Sequence, residues 1–160
     1  MSRIATRAYR PAIGRPRILL VVSHPAVGSG VETVLRLERR YELRRVARLG
    51  EAGAVAKTWP ADAALVDAAM LRPGDRLALG VPAVVLAGGD AESRAVSGGL
   101  DDPRGWVRKD APAADLIRAV EQLLTTGQQS AAGSLALLAL GVLVLVFGGL
   151  LFYLIWLALV

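Results

Sequence analysis

Short apolar runs alternate with amphipathic stretches along most of this chain. Arg17 to Val22 is a continuous apolar run of strand length, stopped by Ser23, His24 and Pro25. Over Val27 to Arg40, Val27, Val31, Val34, Leu35 and Leu37 recur at roughly helical spacing with charge between them. Tyr41 to Ala47 reads as a second, more polar strand, suited to a sheet edge. Gly50 to Trp59 predicts a short helix ended by Pro60, and Asp62 to Asp67 a third strand. Leu71 to Leu79 predicts a weak helix broken by Pro73-Gly74. Pro82 to Ala87 and Gly105 to Arg108 complete five strands, and Ala113 to Thr125 places Leu116, Ile117, Val120, Leu123 and Leu124 on one helical side. Apolar strands alternating with helices predict a doubly wound α/β fold, a parallel sheet covered on both faces. Its site belongs at the carboxyl ends of the strands, here Val22-Ser23, Asp67, Ala87 and Lys109.

The pattern changes beyond a polar linker. Residues 135–160 carry no charge and no strong polar group. As a helix they would extend about 39 Å, enough to cross a hydrocarbon core of about 30 Å with some tilt. In lipid only a helix satisfies such a segment's backbone, so a transmembrane helix is expected despite Gly141, Gly148 and Gly149. Tyr153 and Trp156 sit near its far end, where aromatic rings favour the headgroup zone. No export signal precedes the domain, which is expected to be cytoplasmic on a single-pass, tail-anchored chain in the cell membrane. The expected division is a basic disordered arm over 1–16, the α/β domain over 17–125, a linker over 126–134 and the membrane helix over 135–160.

Charge refines this picture. The net charge of +5 equals the contribution of Arg3, Arg7, Arg10, Arg15 and Arg17, and the rest of the chain balances. A neutral domain argues against nucleic acid as a partner, while a basic arm suits contact with anionic membrane lipid. Without cysteine there are no disulfides or thiolate metal sites, and one histidine, His24, cannot build a histidine-based metal cluster. Gly28-Ser-Gly30 lacks the third glycine and the strand-end position of a dinucleotide loop. Gly88-Gly89-Asp90 and Gly98 to Pro103 carry turn chemistry with no phosphate-loop lysine after them. No constellation supports an enzyme.

The ordered motifs resemble the receiver domain of bacterial two-component response regulators, particularly the LuxR-type class. Ile18 to Pro25 resembles that family's first strand, its acidic pair and the following His-Pro. Asp62 to Asp67, with Met70 three residues on, resembles the phospho-acceptor strand. Arg104 to Ala111 resembles the last strand with its lysine. The resemblance covers roughly residues 17–125 and implies a five-stranded sheet in order 2-1-3-4-5 with five helices. It makes Asp67 the phospho-acceptor candidate, Lys109 the phosphate clamp and Trp106 the aromatic switch position, here a candidate docking residue.

The departures from the family lie at the site. Val22 and Ser23 stand where the family carries its acidic pair, and Ala87 where it carries a hydroxyl. Mg²⁺ asks for hard oxygen ligands with carboxylate charge, so weak or absent Mg²⁺ binding and no other cofactor are expected. The expectation is a degenerate receiver that docks proteins without phosphorylation, its partner a sensor kinase or another regulator. Gly141 and Gly148 on one helical face would suit a homodimer. Two alternatives stay open: a working regulator phosphorylated at Asp67, and a structural membrane protein whose helix oligomerises.

Overall fold

The computed structural model describes residues 14–125. The expected linker 126–134, the expected membrane helix 135–160 and most of the basic arm lie outside the described residues. Among the described residues no helix is long and apolar enough to cross a membrane.

Five parallel strands form one sheet: β1 (Arg17–Val21), β2 (Glu42–Val46), β3 (Ala63–Asp67), β4 (Ala83–Ala87) and β5 (Pro103–Arg108). Their order is β2-β1-β3-β4-β5. The helices are α1 (Pro25–Leu37), α2 (Leu49–Thr58), α3 (Asp90–Ser97) and a last one, α4, over 113–125. The inner strands β3 and β4 are buried at every position, which is why they read as unbroken apolar runs. Strand β2 alternates exposed and partly buried residues and lies at the edge, as its polarity predicts.

Two cores flank the sheet. On one side Leu19, Val21, Val66 and Val85 pack with Ala52 and Ala56 of α2 and Val96 of α3. On the other, Ile18, Leu20, Leu65 and Leu86 pack with Val31 and Leu35 of α1 and Leu116, Val120 and Leu123 of α4. Burying a side chain of this size contributes about 1.5–3 kcal/mol, so substituting Leu35 or Leu123 would open a hole that the rigid sheet cannot close.

Three expectations are corrected. No helix forms over 71–79. A single 3-10 turn (Ala68–Met70) follows β3, so among the described residues there are four α-helices and not the five that the family resemblance implies. Pro73 and Gly74 (φ +96°) break the segment, and Leu77 leaves it to bridge Leu100. Gly99 is required there, because a Cβ would collide with the Asp75 carbonyl. Strand β5 begins at Pro103, earlier than Gly105, and Gly105 (φ +120°) accompanies a register shift against β4. Leu37, grouped by spacing with the apolar face of α1, is 76% exposed. It lies two residues after the buried Leu35, about 200° around the helix.

Candidate functional site

Strands β3 and β5 bring Asp67 and Lys109 together at the carboxyl edge. Asp67 ends β3 at 1% exposure. Its Oδ1 accepts a hydrogen bond from the Ala69 N–H at 3.0 Å and lies 2.8 Å from Lys109 Nζ. Lys109 follows β5, and its backbone N–H donates to the Ala87 carbonyl at 3.0 Å. Ala87 therefore positions Lys109 through its main chain, while its own methyl group is fully buried. A buried carboxylate without a partner is costly, and the ammonium offsets that cost.

Lys109 has a second carboxylate. Its Nζ donates to Glu92 Oε1 at 3.2 Å, and Glu92 Oε2 accepts the Gly88 N–H. Glu92 lies in the first turn of α3, after the N-cap Gly89, and reaches back over the end of β4. The Gly88 N–H, then Lys109, hold its carboxyl below the usual range against the opposing effect of burial. For Lys109 burial works to lower the pKa, but hydrogen bonds to Asp67 and Glu92 and the two negative charges outweigh it and raise it. One ammonium thus bridges two carboxylates (Asp67 and Glu92), and Glu92 also takes up the free N–H beside β4.

Sequence reasoning missed Glu92. The signal was present: a strand end, two glycines, then an acidic residue at the third helical position, where a side chain commonly reaches back to an N–H before the helix.

Val22 is fully buried in the core beneath α1 and α4, and its N–H still bonds the Val46 carbonyl. Ser23 is exposed in the turn before α1. His24 is the N-cap of α1 and makes no side-chain cap hydrogen bond. Gly28 and Gly30 lie inside that helix, where the Arg45 guanidinium covers Gly28. Trp106 pairs with Val85 in register and packs, partly buried, against the core beneath α2 and α3. Beside Lys109 a groove of about 400 Å³ opens between α1 and α4, lined by Val27, Val31, Leu86, Arg108 and Leu116. Among the described residues, no three His, Cys, Asp or Glu side chains converge to hold a metal ion.

No protein-family model and no curated protein matches the sequence. Similarity appears among solved structures. The signal receiver domain of the NarL response regulator from Mycobacterium tuberculosis is 20% identical with a TM-score of 0.60, over 70% of this chain and 98% of that one. A LuxR-family two-component response regulator from Aurantimonas sp. SI85-9A1 is 20% identical with a TM-score of 0.58, over 77% and 99%. A CheY-like receiver domain protein from Methanospirillum hungatei JF-1 is 21% identical with a TM-score of 0.55, over 73% and 99%. The described part of this chain therefore has the fold of response-regulator receiver domains, a five-stranded parallel sheet in order 2-1-3-4-5.

Proposed function

We propose that this chain is a membrane-tethered signalling module that has kept the receiver fold and works by protein docking, without phosphorylation, catalysis or a bound Mg²⁺. The sharing of Lys109 between Asp67 and Glu92 carries this reading. A phosphoryl group on Asp67 would need a cation and N–H donors beside it; the Ala69 N–H already donates to Asp67 itself, and Lys109 and the Gly88 N–H are engaged by Glu92. Metal chemistry argues the same way. Mg²⁺ prefers oxygen ligands in octahedral geometry, and the position just after β1, next to the Val21–Val66 pair that precedes Asp67, offers the buried hydrocarbon of Val22. Ala87 contributes no hydroxyl.

The receiver fold supports a role in signal transduction with a protein partner such as a sensor kinase or another regulator. Trp106, on the β5 side and partly exposed, is the docking residue of this proposal. The apolar stretch 135–160 supplies the tether, and confinement to the bilayer raises the effective concentration of partners there. A homodimer through Gly141 and Gly148 belongs to the same proposal.

The test is an NMR titration of residues 14–127, which lie within one compact unit of the chain and whose described part has the fold of solved single receiver domains. Unchanged spectra with Mg²⁺ and then beryllofluoride, which mimics an aspartyl phosphate, are expected. Shifts clustered at Asp67, Ala87 and Lys109 would overturn the proposal in favour of a regulator phosphorylated at Asp67. For the tether, the full chain should stay with membranes after alkaline washing, and deletion of 135–160 should release it.

A further inference from the structure

The end of the sheet away from Asp67 gathers features that the site does not use. In a parallel α/β unit each helix runs back toward the strand amino ends, so α1 finishes beside the beginning of β1. Register places Arg17 beside Glu42, and the Glu42 N–H bonds the Pro16 carbonyl. Leu37 ends α1 here, the exposed large hydrophobic side chain of the described residues. Arg36, Arg39 and Arg40 surround it in sequence, and all three are exposed. Arg40 pairs with Glu38 and with Glu121 of α4, so the last turn of α4 reaches the same corner. Among the described residues Arg15, Arg39 and Arg44 form no ion pair, whereas Arg17, Arg36 and Arg48 do.

The balance of charge within the domain is uneven. Residues 14–48 hold eight arginines against three glutamates, and residues 49–125 hold eight bases against eleven acids. The near-neutral total therefore conceals a positive first part of the domain, in which Arg45 reaches Gly28 and Arg48 caps α2 at the carboxyl edge while Arg15, Arg17, Arg36, Arg39 and Arg40 flank the amino ends of β1 and β2. The chain enters the domain at this end, following Arg3, Arg7 and Arg10, and continues from Thr125 toward an apolar stretch that begins at Leu135. The nine intervening residues reach about 30 Å at full extension.

We propose that this corner, Leu37 with Arg15 and Arg39, is the face the domain lays on anionic lipid headgroups, with Leu37 entering the headgroup zone. An exposed apolar side chain flanked in sequence by exposed arginines matches the chemistry of an interfacial membrane contact. The covalent path into the apolar stretch selects a bilayer over an acidic protein as its partner. The inference rests on the membrane tether proposed above, but its test omits that segment.

Residues 14–127 are floated with vesicles of phosphatidylcholine alone or with about a third phosphatidylserine, where each basic residue near the surface is worth about fivefold in binding. Binding to the anionic vesicles only is expected, weakening as salt shortens the screening length. Arg15→Gln with Arg39→Gln should weaken it about 25-fold, and Leu37→Ser should weaken it further with an unchanged thermal melt. Equal binding to both vesicle types, no binding to either, or wild-type binding by the arginine variant would overturn the proposal. So would tighter binding to a mixed-sequence DNA duplex than to the anionic vesicles. If the full chain remains in washed membranes while residues 14–127 ignore anionic vesicles, the corner is refuted and the tether stands. Loss of the full chain from membranes refutes the tether alone.

Discussion

At the carboxyl ends of the strands Asp67 is 1% exposed, and its charge is met at 2.8 Å by Lys109, which Glu92 also engages. At the amino ends Arg15 and Arg39 are exposed with no carboxylate partner among the described residues, and Leu37 stands in solvent beside them. Both ends carry formal charges, but in one the charges satisfy each other inside the fold and in the other they face outward. A group already paired at low dielectric gives up its partner only at a cost. An exposed arginine gives up little beyond water. The carboxyl edge, where doubly wound folds usually bind ligands, is thus the end less prepared to recruit one.

The comparison can be broken most severely at Val22. Val22→Asp would bury a charge beside Asp67 and remove a fully buried side chain, with an expected loss of about 4 kcal/mol in urea unfolding. If Ser23→Asp is added, Mg²⁺ should return part of that stability. A metal at a hundredfold its dissociation constant contributes about 2.7 kcal/mol. Failure of Mg²⁺ to help would mean that Lys109 and Glu92 close the site even when the acids are restored.

Next in size is Lys109→Met, which strands Asp67 without its ammonium. Lys109 is partly solvated, at 24% side-chain exposure, so the loss should be about 2–3 kcal/mol, short of that for a fully buried pair. Combining it with Asp67→Asn should recover much of the loss. Additive losses in this double-mutant cycle would show that the pair does not act as a unit.

Glu92→Gln should cost less, about 0.5–1 kcal/mol, because its side chain is 38% exposed and solvent screens its charge. Its pH dependence sharpens the point. The folded carboxyl lies below its ordinary value of 4.5, so its stabilisation is present above that value and is lost as pH falls through the folded pKa. The gap between wild type and Glu92→Gln should be widest near neutrality and close in acid. Lys109 runs the other way. Its raised pKa gives stabilisation that is full below 10.5 and lost as pH rises through the folded value. Alkaline melts should therefore show wild type falling toward Lys109→Met.

The smallest stability effect belongs to the opposite end. Leu37→Ser should alter unfolding by no more than about 0.5 kcal/mol, as exposed substitutions usually do. A larger loss would mean that Leu37 packs in solution.

The pattern of residues fixed the sheet because burial acts along each strand. The inner strands are apolar at nearly every position, β2 is not, and that difference alone sorts centre from edge. Asp67 and Lys109 were legible for the same reason, each closing a strand at the carboxyl edge. Glu92 was not, because its role depends on α3 directing its first turn back over β4. The expected helix over 71–79 also depended on tertiary detail. Pro73-Gly74 weakens it locally, but the close passage of Asp75 over Gly99 determines where the segment goes.

Charge divides the two sources of information most clearly. The sequence by itself determined the total, a near-neutral domain behind a basic arm, and the identity of the groups at the strand ends. Only the tertiary structure decided which charges neutralise one another. Coulomb energy depends on separation and burial, and the fold brings Lys109 to Asp67 across forty-two positions of chain while leaving Arg39 exposed beside Leu37.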